Sequence, residues 1–436
     1  MLIAGITFGV INVLDASALN VSSSSSVDTA TKSDIAIKEK RVEPLDEGTQ
    51  PDQSSQLPIN YAKELSSSTK FSSLDYSSYS ETFKPISNEN FRTVKSEHLS
   101  AIDGIRNATA SNSPINGEGV VVGIIDSGLN TNENNFIDRN GNSRIVKQSC
   151  FGAVAEIAPC DQRSPANLKC SQMVVGCYHG NAVADLLAGN RYSQVLESGE
   201  VTSSGGVAPS AKISFARITL NANGELDEKL FVDALNSFLV DVKAGKKYAP
   251  KVINISIGFP REGKFKNCEA PSAIKSIIDS LNSRGVSIVV ASGNSGAKNE
   301  IMFPACLNNV ISVGSTQFTK DNKNRVISEN ISNYSQSSNE LDVVAPGTDL
   351  NASTPSLGLF NKVRGTSFAS PLVSGTIALL LQVNPNLTPS QIRHILISNG
   401  DRVNDHGANL NVARINVFKS LLAINGKVKH LSAVNS

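Results

Sequence analysis

At 436 residues the chain is long enough for one large domain or two ordinary ones, and its 40% hydrophobic and 18% charged residues suit a globular protein with a sizeable core. Lys plus Arg (40) against Asp plus Glu (39) leaves a net charge of +1 with no basic block, which removes the usual footing for a nucleic-acid partner. There is no Trp, and no unbroken apolar run approaches the roughly 18 residues of a membrane-spanning helix, so no membrane span is expected.

The first residues, "MLIAGITFGVINVLDASALN", are apolar from Leu2 to Leu14 and close on Ala16-Ser17-Ala18, the A-x-A pattern that signal peptidase accepts. Only the terminal amine supplies positive charge ahead of the apolar run. Residues 1–18 are read as an export signal in preference to a short buried segment, so the protein is expected to be secreted. Serine then dominates residues 19–95, with "SSSSS" at 22–26 and "SSS" at 66–68 and no persistent period. Such a stretch buries too little apolar surface to offset its ordering entropy, and reads as a linker or a pro-segment.

From Gly117 the character changes. "GVVVGIID" (119–126) is a continuous β-branched run, as expected of a strand covered on both faces. Comparable runs follow at 211–218, 251–258, 287–293, 309–315 and 341–347. Between them, residues 227–243 place Phe231, Ala234, Leu235, Phe238, Leu239 and Val242 on one helical stripe, and 271–284 do the same with Ile274, Ile277, Ile278 and Leu281. Thr388-Pro389-Ser390-Gln391 is a capping box, with Gly400 at the expected far end of its helix. Strands alternating with helices predict an α/β fold, a doubly wound, mostly parallel sheet with helices on both faces. The domain is expected over residues 96–425, with a polar tail at 426–436.

The six cysteines are Cys150, Cys160, Cys170, Cys177, Cys268 and Cys306, with no C-x-x-C pair. Zinc sites favour tight ligand spacing, so disulfides in an oxidising compartment are the better reading. The first four allow three connectivities, and Cys268 and Cys306 remain for a third bridge.

In open α/β sheets, ligands bind beyond the carboxyl ends of the strands. Four residues stand at such ends or beside them: Asp126 in "GIIDSG", His179 just before a helical pattern in "YHGNAVADLLAG", Asn294 in "VVASGNSG" and Ser367 in "RGTSFASP". Each has a plain structural alternative: a turn cap, a buried hydrogen-bonded imidazole, a left-handed turn residue, an ordinary N-cap. Together they make a chemical set. A serine hydroxyl needs a base, imidazole suits that task near neutral pH, a carboxylate fixes the imidazole's tautomer, and a carboxamide donates to the oxygen on which charge develops.

These motifs, in this order and with these flanking residues, resemble the subtilisin-like serine proteases (subtilases). "GVAPSAKISFARI" (206–218), "VINISIG" (252–258), "FPACLNNVISVGS" and "NPNLTPSQIRHIL" extend the likeness over roughly residues 98–425. The resemblance implies a serine endopeptidase with Ser367 as nucleophile, His179 as general base and then acid, and Asp126 as its orienting carboxylate. It implies Asn294 and the Ser367 backbone N–H as oxyanion donors. Ser256, Ile257 and Gly258 would form one wall of the pocket for the residue before the cut, and Ala291, Ser292 and Gly293 the other.

Pro371 is expected in the first turn of the helix that Ser367 opens, where a missing N–H loses nothing. Departures from the family pattern are Ala182 and Asp185 in the histidine motif, with Asp185 expected near that helix's N-terminus and able to tune His179. Met302 falls where the family often has glycine at the pocket base, and would disfavour large aromatic side chains there. A Cys268–Cys306 bridge would pin the pocket's flanks. The chemistry requires no cofactor; structural calcium and any other metal are left open. Protein or peptide substrates and a monomer are expected. The rivals are a non-catalytic peptide-binding or surface-interaction protein that retains the fold, and a metal module built on residues 150–177.

Overall fold

The structure is a computed structural model that describes residues 108–110, 113–129, 134–152, 175–190, 192–195, 201–218, 226–321, 326–354, 359–425 and 429–430. The expected export signal (1–18), the serine-rich segment (19–95) and the tail apart from Lys429–His430 lie outside the described residues, as do Cys160, Cys170 and the side chain of Cys177.

Two short strands, β1 (Ala108–Ala110) and β2 (Ser113–Pro114), precede β3 (Val121–Asp126) and β4 (Ile145–Phe151). Helix α1 (Val175–Ala188) leads through β5 (Tyr192–Val195) and β6 (Val201–Ser204) to β7 (Lys212–Ile218). Then come α2 (Glu228–Lys243), β8 (Val252–Ile255), α3 (Ala273–Asn282), β9 (Ser287–Ala291), β10 (Ile311–Lys320), β11 (Val326–Ile331) and β12 (Val343–Pro346). The hairpin β13 (Leu350–Thr354)–β14 (Leu359–Val363) feeds α4 (Thr366–Val383), followed by α5 (Pro389–Asn399), β15 (Asp401–Asp405), β16 (Leu410–Arg414), α6 (Val417–Ile424) and β17 (Lys429–His430).

The main sheet runs β15-β16-β12-β10-β9-β8-β3-β7-β4, with β11 paired to β10. Every neighbouring pair from β16 to β4 is parallel, while β15 and β11 are antiparallel. Its inner strands β3, β8, β9 and β12 are buried along their whole length, and alternate residues feed two cores. Val122, Ile124, Val252 and Val289 join α1, α4, α5 and α6 on one face. Ile125, Ile253, Ile288 and Val290 join α2 and α3 on the other. The expected doubly wound sheet is therefore present.

The helix signals work locally as expected. Asp227 caps α2 by accepting from the N–H groups of Lys229 and Leu230, and Ser272 caps α3 through Lys275 N–H. Thr388 and Gln391 close a capping box around Pro389. Of the expected stripes, Phe231, Ala234, Leu235, Phe238, Leu239, Ile274, Ile278 and Leu281 are buried, whereas Val242 and Ile277 are only partly so.

Helix α4 is long and apolar enough to cross a membrane by length and composition, but 89% of it is buried inside the protein, as a core helix is. Gly375 permits this: a Cβ there would meet the Val207 Cβ at 2.6 Å.

Candidate active site

Asp126 ends β3 and shares the parity of Val122 and Ile124, so it faces the side where α1 and α4 pack. It is fully buried. Its Oδ1 accepts from the Ser127 N–H at 2.7 Å, from the Ser127 hydroxyl at 3.1 Å, and from Nδ1 of His179 at 2.8 Å. An ionised carboxylate only accepts, so Nδ1 carries the proton and Nε2 offers its lone pair. Gly180 makes the approach possible, because a Cβ there would stand 2.0 Å from the Gly128 carbonyl oxygen. The imidazole is itself buried and leans on Phe368, ring centroids 5.1 Å apart, which places it beside the residue that follows Ser367.

His179 does not precede its helix as expected. It sits in the second turn of α1, which already starts at Val175. Asp185 is accordingly near the C-terminal end of α1 and not its N-terminus, an unfavourable place for a carboxylate against the helix dipole. Partners offset this: the Asn135 amide donates to Asp185 at 2.5 Å, and the Arg144 guanidinium donates to the last helical carbonyl, Ala188, at 2.7 Å. Burial lowers the pKa of Arg144 to about 10, still well above neutrality.

Ser367 is the second residue of α4, after Gly365, whose φ of 145° belongs to glycine. Its hydroxyl donates to the Ser256 carbonyl at 3.1 Å. Pro371 lies well inside the helix rather than in its first turn. Lacking an N–H, it leaves the Ser367 carbonyl without its helical donor. The Ser256 hydroxyl supplies one at 2.8 Å, with the Ser370 hydroxyl at 3.4 Å. The Asn254 amide in turn donates to Ser256 Oγ at 2.9 Å and accepts from the Ser374 hydroxyl at 2.9 Å. A buried polar column thus ties the start of α4 to the end of β8. Sequence reasoning missed Asn254, Ser370 and Ser374, although Ser367, Ser370 and Ser374 form an i, i+3, i+7 stripe on an otherwise apolar helix.

Asn294 follows β9. Its Oδ1 accepts from the Thr366 N–H at 2.9 Å and the Thr366 hydroxyl at 3.0 Å. A backbone N–H can only donate, so this fixes the amide's orientation and turns Nδ2 away from Thr366 as a donor. Thr366 Oγ1 also accepts from the Gly293 N–H at 3.2 Å. Thr366 was not singled out from the sequence, though its place between Gly365 and Ser367 was the available signal.

Met302 lies between the two segments expected as pocket walls. A Cβ built on Gly258 would be 3.6 Å from Met302 Cβ, and one on Gly293 only 2.7 Å from Met302 Cγ. Behind them, Cys268 and Cys306 form a disulfide with Cα atoms 5.9 Å apart. Cys150 is also disulfide-bonded, which speaks against a metal module at this cysteine. Beside Asp126 in the register of β3 and β7 stands Arg217, donating to the Ser127 carbonyl at 3.1 Å; its burial pushes the guanidinium pKa down.

Residues 117–412 match the subtilase family. The chain belongs to that family. Subtilisin BL of Lederbergia lenta is 31% identical over 297 residues, 68% of this chain and 88% of that protein. An alkaline protease of Shouchella clausii is also 31% identical over 68% of this chain and 62% of its own length. Among solved structures, the prenylagaramide maturation protease PagA shares the fold at a TM-score of 0.51 and 19% identity, covering 76% of this chain and 99% of that one. As a subtilase, the protein is a serine-type endopeptidase acting on proteins or peptides.

Proposed function

We propose that this subtilase hydrolyses peptide bonds through an acyl-enzyme on Ser367, with His179 and Asp126 completing the triad and Asn294 in the oxyanion pocket. The observation that carries the reading is the buried Asp126–His179 pair at 2.8 Å, packed by its ring against Phe368 at the start of the serine's helix.

The Ser367 hydroxyl turns from the Ser256 carbonyl to Nε2 of His179, which takes its proton as oxygen attacks the scissile carbonyl. The resulting oxyanion is met by Nδ2 of Asn294 and the N–H of Ser367, near the positive end of the α4 dipole. Asp126 stabilises the imidazolium, which then protonates the departing amine. Water, deprotonated by His179, releases the acyl group and restores the serine. Thr366 is a positioning residue that keeps Asn294 aimed.

The backbone of 256–258 and 291–293 pairs with extended substrate. Met302 fills the space between these walls, so the residue before the cut is small or of middle size. Secretion after removal of residues 1–18, with 19–95 as a pro-segment, is supported by the signal-like N-terminus and by the disulfides.

Hydrolysis of unstructured protein and of defined peptides tests the proposal. The enzyme should cleave both, and Ser367→Ala and His179→Ala should each lose about 10⁶-fold in kcat, the scale known for the same losses in a subtilisin. A loss below about tenfold in either variant would contradict it.

A further inference from the structure

We infer that Arg364 selects substrates with a carboxylate just after the scissile bond, holding that side chain at the rim of the cleft beside the nucleophile. The inference rests on the assignment of Ser367 as nucleophile. Arg364 is exposed, whereas Gly365, Thr366 and Ser367, which follow it directly, are buried. Its guanidinium carbon lies 5.0 Å from the centroid of the Tyr334 ring. That ring is itself anchored: its hydroxyl donates to the Gly347 carbonyl at 2.8 Å and accepts from the Gly365 N–H at 3.1 Å. An aromatic shelf bonded to the nucleophile's own turn therefore fixes where the cation sits.

A guanidinium lying over a ring keeps its edge donors available for bidentate contact with a carboxylate. Among the described residues none of the chain's own carboxylates forms an ion pair with it. Asp349 is the nearest in register, one place beyond the Leu350–Val363 pair of the β13–β14 hairpin, and it too makes no ion pair with Arg364. Lys362, exposed two residues earlier on β14, lies on the same side of the strand and extends the positive edge. The acyl half of the substrate occupies the walls at 256–258 and 291–293. Arg364 belongs to neither wall but directly follows β14, the strand entering the Ser367 turn, so the half assigned to its reach is the leaving half.

The test uses matched peptides differing only by Glu or Gln at the first or second residue after the cut, with kcat/KM compared as a ratio within each variant. The enzyme should favour Glu by about fivefold, the size of a good solvent-facing ion pair. The ratio should fall toward one in Arg364→Gln, invert in Arg364→Glu and survive in part in Arg364→Lys, which keeps the charge and loses the fork. Should a variant fail to fold, the unaltered enzyme still decides, because its preference must shrink at about 1 M salt. Equal cleavage of Glu and Gln peptides overturns the inference while leaving the proposed hydrolysis standing, and a preference that persists in Arg364→Gln overturns the role of Arg364. If the Gln peptides also stay intact, the proposed function itself falls, and this inference with it.

Discussion

On one face of the sheet, α2 and α3 close over a core of almost purely apolar side chains; on the other, α1 and α4 close over apolar residues threaded by a buried polar column. The first face gathers Phe231, Phe259, Phe265 and Phe303 into one ring cluster, with Phe265 and Phe303 stacked at 4.6 Å and Phe231 edge-on to Phe259 at 5.7 Å. The Cys268–Cys306 bridge joins the same cluster. On the second face, Asp126, Asn254, Ser370 and Ser374 are fully buried and bonded. Apolar burial is strong but non-directional, so it holds the fold without aiming anything. Hydrogen bonds contribute little net stability but fix direction, which a nucleophile needs. Apolar cores hold the fold on both sides of the sheet, but the directional bonding that aims the serine is gathered on the second.

Several substitutions would break or sharpen that division. Phe231→Ala, on the apolar face, should lower stability by about 3–5 kcal/mol. Thermal or urea unfolding reads this, and kcat per folded molecule should hardly change; a large fall in kcat would show that the faces are coupled. Asn294→Leu should do the reverse, lowering kcat by about 10²- to 10³-fold, or about 2.7–4 kcal/mol in barrier, with little change in melting temperature. Replacing Cys268 and Cys306 together by Ser, which opens a loop of sequence separation 38, should reduce stability by about 2–4 kcal/mol. Its effect on kcat/KM should be smaller, seen chiefly in KM because the bridge backs the Met302 segment. Met302→Gly should change selectivity alone, raising kcat/KM for Phe or Tyr before the cut by about tenfold against Ala, the lower end of what one methylene group is worth in a pocket. Unchanged selectivity in a peptide library would remove Met302 from the pocket.

Much of this was legible in the sequence because it rests on local signals. The β-branched runs marked the strands, and a glycine within two residues of each of Asp126, Asn294 and Ser367 marked where they end or turn. The start of α1 was not legible: "VGCY" at 175–178 offers a glycine and β-branched or aromatic residues where a cap would be sought, so His179 looked like the threshold of its helix and Asp185 like an early residue. Pro371 misled for a different reason. Nothing near it in sequence shows that the Ser367 carbonyl it leaves without a helical donor is met by Ser256, 111 residues before Ser367. The polar column is a tertiary device, and only the serine spacing on α4 hinted at it. The Arg364–Tyr334 stack likewise joins segments 30 residues apart that share no motif.

The most direct measurement of the central claim is fluorophosphonate labelling of the mature protein, with the adduct located by peptide mass spectrometry and with Ser367→Ala and His179→Ala alongside. The account predicts one adduct per molecule, on Ser367, absent from the first variant and strongly slowed in the second. An adduct on another residue, equal labelling of Ser367→Ala, or an unlabelled mature chain that folds normally would contradict it.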